Sequence, residues 1–296
     1  MSVVGVAGLG NMGSVLAANL VNAGCEVYTF DVAGPDRMPA GAQFAHDLAH
    51  LAQQADVVVL SLPDGSASQA VASGIAVAER RRADKIIDTS TIGPDAARTV
   101  AALLAAHGIG YVDAPVSGGI AAARARTLTV MYAGADADCD AVAWALAGLS
   151  DRNRRVGDRP GMAQSLKLAN NFLAATTLAA TSEAIAFLMA AGLDMAVALE
   201  VINTSSGQSN ASADKFVKQV LPGTYAAGFA NSLMAKDVRL YCEAVAAVDS
   251  PVVLSTRIHQ VWDGFAAAEP SVDFTRIYPY VRDSGQECGG LGAIAG

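Results

Sequence analysis

The chain has 296 residues, 52% apolar and 16% charged, with a formal net charge of −8. That length allows two domains, and so apolar a composition excludes a disordered chain. The acidic balance, with no basic run, excludes a nucleic-acid-binding protein, which needs a Lys/Arg-rich face. Cys25, Cys139, Cys242 and Cys288 stand far apart with no histidine at ligand spacing, so neither a disulfide framework nor a metal site is expected. Met1-Ser2 leads straight into Val3-Val4-Gly5-Val6-Ala7 without the features of a signal peptide, which gives the expectation of a cytoplasmic protein.

In chain order, the first half alternates β-rich runs with helical stretches. Strands are expected at Val3–Ala7, Glu26–Asp31, Asp56–Leu62, Lys85–Asp88, Tyr111–Asp113 and Leu128–Ala133. Helices are expected at Met12–Ala23, Ser66–Glu79, Pro94–His107 and Asp136–Leu149. This alternation predicts an α/β fold, a Rossmann-type doubly wound parallel sheet with helices on both faces. After Gly157-Asp158-Arg159-Pro160-Gly161 the rhythm changes to an Ala/Leu-rich run that lacks Gly and Pro until Gly192, which reads as one long helix. The stretch from Phe172 to Gly192 is apolar enough to raise a membrane span. Thr176, Thr177, Thr181, Ser182 and Glu183 interrupt it, so a buried central helix is expected instead and no membrane partner. Further helices are expected at Asp194–Thr204, Ala211–Val220, Ser232–Ala247 and Pro251–Ala268. The expected domains are 1–160 and an all-helical 161–296 that begins with the long interdomain helix.

Gly8-Leu9-Gly10-Asn11-Met12-Gly13 follows the first strand and opens a helix, the context that gives a glycine pattern meaning. Gly8 allows the tight turn, Gly10 lets the backbone approach a pyrophosphate, and Gly13 permits close packing of helix on strand. The helix N-terminus offers N–H groups and a partial positive charge to the phosphates. Asp31 lies near the ~20-residue spacing of the acid that binds ribose hydroxyls. A carboxylate there repels a 2′-phosphate, so NAD is expected rather than NADP.

Further motifs follow in order. They are Leu62-Pro63-Asp64, Asp88-Thr89-Ser90-Thr91-Ile92, Asp113-Ala114-Pro115-Val116-Ser117-Gly118-Gly119, Gly161 through Asn171, Gly228-Phe229 and Leu233-Met234-Ala235-Lys236-Asp237. With the N-terminal glycines, this set resembles the β-hydroxyacid dehydrogenase family, and most closely its 3-hydroxyisobutyrate dehydrogenases. The resemblance implies hydride transfer between NAD and the hydroxyl carbon of a small hydroxy acid, in a cleft between the two domains. It makes Lys167 the catalytic acid/base and Asn171 the residue that holds the substrate oxygen. It makes Ser117, Gly118 and Gly119 substrate contacts, and Leu62, Pro63, Thr91, Phe229 and Lys236 cofactor contacts.

The residues support parts of this directly. Lys167 and Asn171 are four apart and share one face of the long helix, with Gln164 nearly in line. A lysine amine serves near neutral pH only where burial or neighbouring cations favour its neutral form. The small residues from Asp113 to Gly119 leave backbone N–H groups open to a carboxylate.

Three departures from the family pattern stand out. Ala163 replaces a glycine before the lysine, Arg126 stands where glycine is common, and Asn210 replaces a bulky tryptophan in a substrate-pocket loop. The last change suggests a larger or more polar substrate than 3-hydroxyisobutyrate. The alternatives are an imine reductase, which shares the architecture but usually lacks the lysine, and a non-catalytic NAD-binding protein, whose kind tends to lose the lysine first. Phosphogluconate dehydrogenases are longer and carry phosphate-binding residues not found here. A homodimer or homotetramer is expected.

Overall fold

The computed structural model describes residues 2–287, so Cys288 lies outside the described residues. Two compact units are present, Met1–Leu168 and Ala169–Gly296.

The first unit runs β1 (Val3–Ala7), α1 (Gly13–Asn22), β2 (Glu26–Phe30), β3 (Gln43–Phe44), α2 (Leu48–Gln54), β4 (Val57–Leu60), α3 (Gly65–Ala76), β5 (Lys85–Asp88), α4 (Pro94–Ala105) and β6 (Gly110–Asp113). It continues with β7 (Val116–Ser117), α5 (Gly119–Arg124), β8 (Thr129–Ala133), α6 (Asp136–Ala141), α7 (Ala143–Leu149), β9 (Arg152–Gly157) and the start of α8 (Met162–Ala190). The sheet order is β3-β2-β1-β4-β5-β6-β8-β7, with β9 beside β8. Strands β1 to β6 pair in parallel, whereas β8 is antiparallel to β6 and β7.

Strand alternation sends successive side chains to opposite faces, so a sheet buried on both sides needs two cores. Val57 and Val59 of β4 join Leu16, Leu20, Leu146 and Leu149 from α1 and α7. Val58 and Leu60 of the same strand join Leu51, Ile75, Val100 and Leu104 from α2, α3 and α4. Each fully buried Leu or Ile contributes roughly 1.5–3 kcal/mol relative to exposure. The doubly wound sheet expected from the sequence is present.

Several elements differ from expectation. The helix expected over Asp136–Leu149 breaks at Val142, which leaves helical geometry at φ −104° and ψ 3°. Arg152–Gly157 is a strand although its charged residues carry no apolar alternation; its backbone pairs with β8 at the sheet edge. Arg126 has φ +58°, the left-handed region that favours glycine. Its side chain offsets that strain by donating to the carbonyls of Ala147 (2.8 Å) and Gly148 (2.6 Å) at the end of α7, and to Asp151. Ala163 lies in the first turn of α8, fully buried against Met131 and Ala133, so the methyl group fills space between helix and sheet.

The second unit holds the rest of α8, then α9 (Met195–Asn203), a π-helix over Ala211–Val220, α10 (Asn231–Ala246), α11 (Ser255–Ala268), a 3₁₀ turn at Phe274–Arg276 and α12 (Ile277–Glu287). The Ala211–Val220 segment was expected as an α-helix. The chain leaves it with a bond five residues long, Leu221 N–H to Phe216 O at 2.8 Å. Helix α11 starts at Ser255 rather than at Pro251. Trp262, Phe216, Phe265, Leu178 and Ile185 form the core, and the Trp262 indole N–H donates to the Ala175 carbonyl at 3.3 Å. Helix α8 is not wholly buried as expected. Leu168, Ala175, Leu178 and Ile185 are covered, but Leu166, Leu173, Phe187 and Met189 are exposed.

The first turn of α8 is tied to the sheet by a carboxylate. Asp113, at the end of β6 and fully buried, accepts from the N–H groups of Gly161 (2.9 Å) and Gln164 (3.1 Å) through Oδ2, and from Gln164 Nε2 (2.8 Å) through Oδ1. Asp88 is its register partner on β5 and is also fully buried. Asp88 accepts from Ser90 N–H at 3.0 Å and from the Tyr111 hydroxyl at 3.3 Å. Burial raises Asp113 from 3.8 to about 6, against the hydrogen bonds from Gln164 and Gly161, and nearby Asp88 adds to the rise. Burial pushes Asp88 and Tyr111 up as well.

A folded carboxyl that holds its proton more tightly than the unfolded one is most stabilising when protonated. For Asp113 the stability is present below its ordinary value of 3.8 and is lost as pH rises to about 6. That interval corresponds to at most ~3 kcal/mol. Urea unfolding from pH 4 to 7 should therefore show wild type losing stability relative to Asp113→Asn as pH rises. Parallel pH profiles for the two proteins would contradict the assignment.

Candidate active site

Within the first unit, five parallel strands end in one row of register. Ala7 pairs with Phe30 on β2 and with Leu60 on β4, Leu60 pairs with Asp88, and Asp88 with Asp113. The residues that follow those ends are the ones singled out from sequence: Gly8 to Gly13, Asp31, Leu62 and Pro63, Thr91, and Ser117 to Gly119. Loops beyond the carboxyl ends of parallel strands are where an open α/β sheet binds ligands. These candidates are therefore brought together along one edge.

The glycine loop has the geometry a dinucleotide needs. Gly8 has φ +97°, and an added Cβ would collide with the Ser61 carbonyl. A Cβ on Gly13 would strike the Gly8 carbonyl, so both positions require glycine. Gly10 differs: a Cβ there would meet nothing within 4 Å and would stand in open space above the start of α1. No side chain caps α1; Ser14 N–H and Val15 N–H turn back to the carbonyls of Gly10 and Met12, and the start of the helix carries the partial positive charge that favours an anion. The loop therefore fits a pyrophosphate.

Asp31 lies one residue past β2, not within it as expected. Its Oδ2 accepts from Leu9 N–H at 2.5 Å and its Oδ1 from Ala33 N–H at 2.8 Å, so the carboxylate is fixed against the glycine loop. Beside it, Arg37 donates to Asn11 Oδ1 at 2.9 Å. Leu62 N–H donates to the Ser90 hydroxyl at 2.8 Å, which ties the loop after β4 to the loop after β5 that carries Thr91. Gly118 (φ +134°) and Gly119 (φ +76°) turn the chain from β7 into α5, and a Cβ on Gly119 would meet open space.

Lys167 and Asn171 both lie on α8, one turn apart, and both are buried. In the second unit, Asn171 Nδ2 donates to Asp237 Oδ2 at 2.6 Å, and Lys236 Nζ lies 3.2 Å from Asp237 Oδ1. Asp237 is thus a hub between Asn171 and Lys236, a role that its place in the Leu233–Asp237 motif does not reveal. Phe229, partly buried, packs edge-on against Phe274 at the margin of the helical core, with ring centroids 5.7 Å apart. Asn210 is exposed at the start of the π-helix, beside the reciprocal Ser209–Ser212 hydrogen bonds.

Gln164 and Asp113 were not read as linked from sequence. Each belongs to a separate motif, and nothing in the sequence brings residues 51 apart into contact.

Comparison with known proteins follows the same division. Residues 3–157 match the family described as the NAD binding domain of 6-phosphogluconate dehydrogenase. Residues 161–281 match that described as NAD-binding of NADP-dependent 3-hydroxyisobutyrate dehydrogenase. The chain is 33% identical to the mitochondrial 3-hydroxyisobutyrate dehydrogenase of Drosophila melanogaster, over 94% of this chain and 89% of that one. It is 32% identical to the 2-(hydroxymethyl)glutarate dehydrogenase of Eubacterium barkeri, over 88% of each. Among solved structures, the 3-hydroxyisobutyrate dehydrogenase of Mycobacterium tuberculosis with L-serine superposes with a TM-score of 0.87 at 30% identity, covering 95% of this chain and 99% of that one. An imine reductase from Streptomyces aurantiacus, at 21% identity and a TM-score of 0.62, over 94% of this chain and 99% of that one, shares the fold alone. A strand-end row built for a dinucleotide, a buried lysine on the helix that follows, and matches along nearly the whole chain lead to one conclusion: the chain belongs to the 3-hydroxyisobutyrate dehydrogenase family of nicotinamide-dependent β-hydroxyacid dehydrogenases.

Proposed function

We propose that this chain oxidises a small 3-hydroxy acid with NAD, using Lys167 as the acid/base. The observation that carries the reading is a buried lysine one turn from a buried asparagine on α8. Lys167 Nζ takes the hydroxyl proton in oxidation and returns it in reduction. Asn171, its amide already oriented by Asp237, holds the substrate oxygen in line. Ser117, Gly118 and Gly119 hold the substrate carboxylate through hydroxyl and backbone N–H groups. The glycine loop and Asp31 hold the dinucleotide with Leu62, Pro63, Thr91, Phe229 and Lys236, and the nicotinamide, when bound, supplies the hydride acceptor.

NAD is preferred because a carboxylate at Asp31, held beside the glycine loop by two backbone N–H groups, would repel a 2′-phosphate. The substrate is larger or more polar than 3-hydroxyisobutyrate, since exposed Asn210 leaves space and hydrogen-bonding capacity in place of an indole. The relative that acts on 2-(hydroxymethyl)glutarate, an acid with a second carboxylate, gives that direction a chemical example. The protein is a homodimer or homotetramer, because Leu166, Leu173 and Phe187 of α8 and Val197 and Val201 of α9 leave an apolar surface uncovered.

A panel of 3-hydroxy acids and their semialdehydes, assayed with NAD(H) and NADP(H), tests this reading. Turnover should be found, and Lys167→Ala should reduce kcat by ~10²–10⁴-fold, the range of a lost acid/base, with NADH affinity nearly unchanged. Near-normal turnover by Lys167→Ala refutes the role. For the cofactor, kcat/KM should favour NAD in wild type and move toward NADP in Asp31→Ser; a wild-type preference for NADPH overturns the reading of Asp31. Light scattering at micromolar concentration should give a dimer or tetramer, and a monomer would contradict the interface.

A further inference from the structure

Gln164 makes four side-chain hydrogen bonds, and its backbone partners settle which way round the amide lies. Ile92 and Gly93 present N–H groups at 2.9 and 3.1 Å, so the atom facing them is Oε1. Ser90 presents a carbonyl at 3.0 Å, so the atom facing it is Nε2. The second Nε2 hydrogen then goes to Asp113 Oδ1, while Asp113 Oδ2 takes the N–H groups of Gly161 and Gln164. Asp113 must accept at both oxygens, as a carboxylate does. A proton on either one has to point away from the donor already there.

Other helices show that such an arrangement is not needed for capping alone. Helices α2, α3 and α9 are capped by the aspartate that precedes each of them, Asp47, Asp64 and Asp194. Helix α8 takes its cap from Asp113, 48 residues before Gly161 in the chain, on the end of a central strand. The burial that raises Asp113 shows this choice to be costly. What it supplies, and a local cap does not, is a fixed position and rotation of α8 against the loops after β5 and β6. Lys167 lies three residues beyond Gln164, on nearly the same face. A one-residue slip of the first turn would rotate the lysine by about 100°.

We infer that Gln164 and Asp113 are positioning residues for Lys167, a buried clamp that locks the first turn of α8 to the strand ends and so sets the place of the amine. The inference rests on the reading of Lys167 as the acid/base. Neither residue touches substrate; both act through the helix. Displacing an acid/base by about 1 Å costs up to ~10²-fold in rate, so a loosened clamp is read in kcat rather than in binding.

A double-mutant cycle on the full-length chain tests it, with the fastest substrate of the hydroxy-acid panel and NAD. The variants are Gln164→Met, which keeps length and loses all four bonds, Gln164→Asn, which keeps the amide but cannot span the gap, Lys167→Ala, and Gln164→Met with Lys167→Ala. In each, kcat, KM, NADH affinity by fluorescence and urea stability are measured. Both Gln164 variants should lower kcat by ~10–100-fold, with KM and NADH affinity within ~3-fold of wild type. In the Lys167→Ala background, Gln164→Met should cost no more than ~2-fold further, because the group it places is already gone. Losses that multiply instead, a kcat within ~2-fold of wild type, or failure of both Gln164 variants to fold would each overturn the proposal. If Lys167→Ala keeps near-normal turnover, the reading of the lysine falls first and the clamp with it. If Lys167→Ala is inactive and Gln164→Met is normal, only the clamp falls.

Discussion

The row of register through Ala7, Phe30, Leu60, Asp88 and Asp113 is the constraint on which the first unit depends. Parallel pairing fixes strand ends relative to one another, and a strand cannot slide by one residue without moving Val57 and Val59 into the core packed around Val58 and Leu60 and disrupting both. Once the row is set, every loop leaving it opens on the same edge. The residues within those loops can then be small and polar, because they have only to reach outward from a scaffold that the apolar strands make rigid.

Much of this was legible in the sequence where chemistry and local pattern coincide. Gly8 and Gly13 were legible because the packing leaves no alternative, as the collisions a Cβ would meet there show, whereas Gly10 was legible by its place in the pattern and faces open space that a ligand can fill. The β-rich runs of the central strands were legible because both faces are buried. Strand β9 was not, since Arg152, Arg154 and Arg155 lie at an edge where pairing needs only backbone groups. The break at Val142 and the π-helix over Ala211–Val220 were also hidden, because apolar periodicity over so few residues does not distinguish one helical geometry from another.

Arg126 shows a side chain occupying a turn whose backbone favours glycine. The turn needs a left-handed residue, and glycine supplies it without strain. Arginine adopts a left-handed φ here, and its guanidinium donates to two carbonyls at the end of α7, which a glycine has no side chain to do. The geometry was the constraint, and the residue type was one of two ways to satisfy it.

Asp31 and Asp113 stand at neighbouring depths of one sheet and meet opposite demands. Asp31 is partly exposed, with one N–H donor on each oxygen, so both oxygens retain lone pairs for a further partner while the group is already oriented. A carboxylate fixed in advance loses little freedom when a ligand arrives, which is the advantage of preorganisation. Asp113 is fully buried and turned inward to the frame of the protein, with three donors of its own. Burial raises the cost of its charge, and the donors lower it only in part. One acid is placed for what comes from outside, the other for a helix the sheet must hold still, and the distinction lies in which donors the fold brings to each rather than in the residue itself.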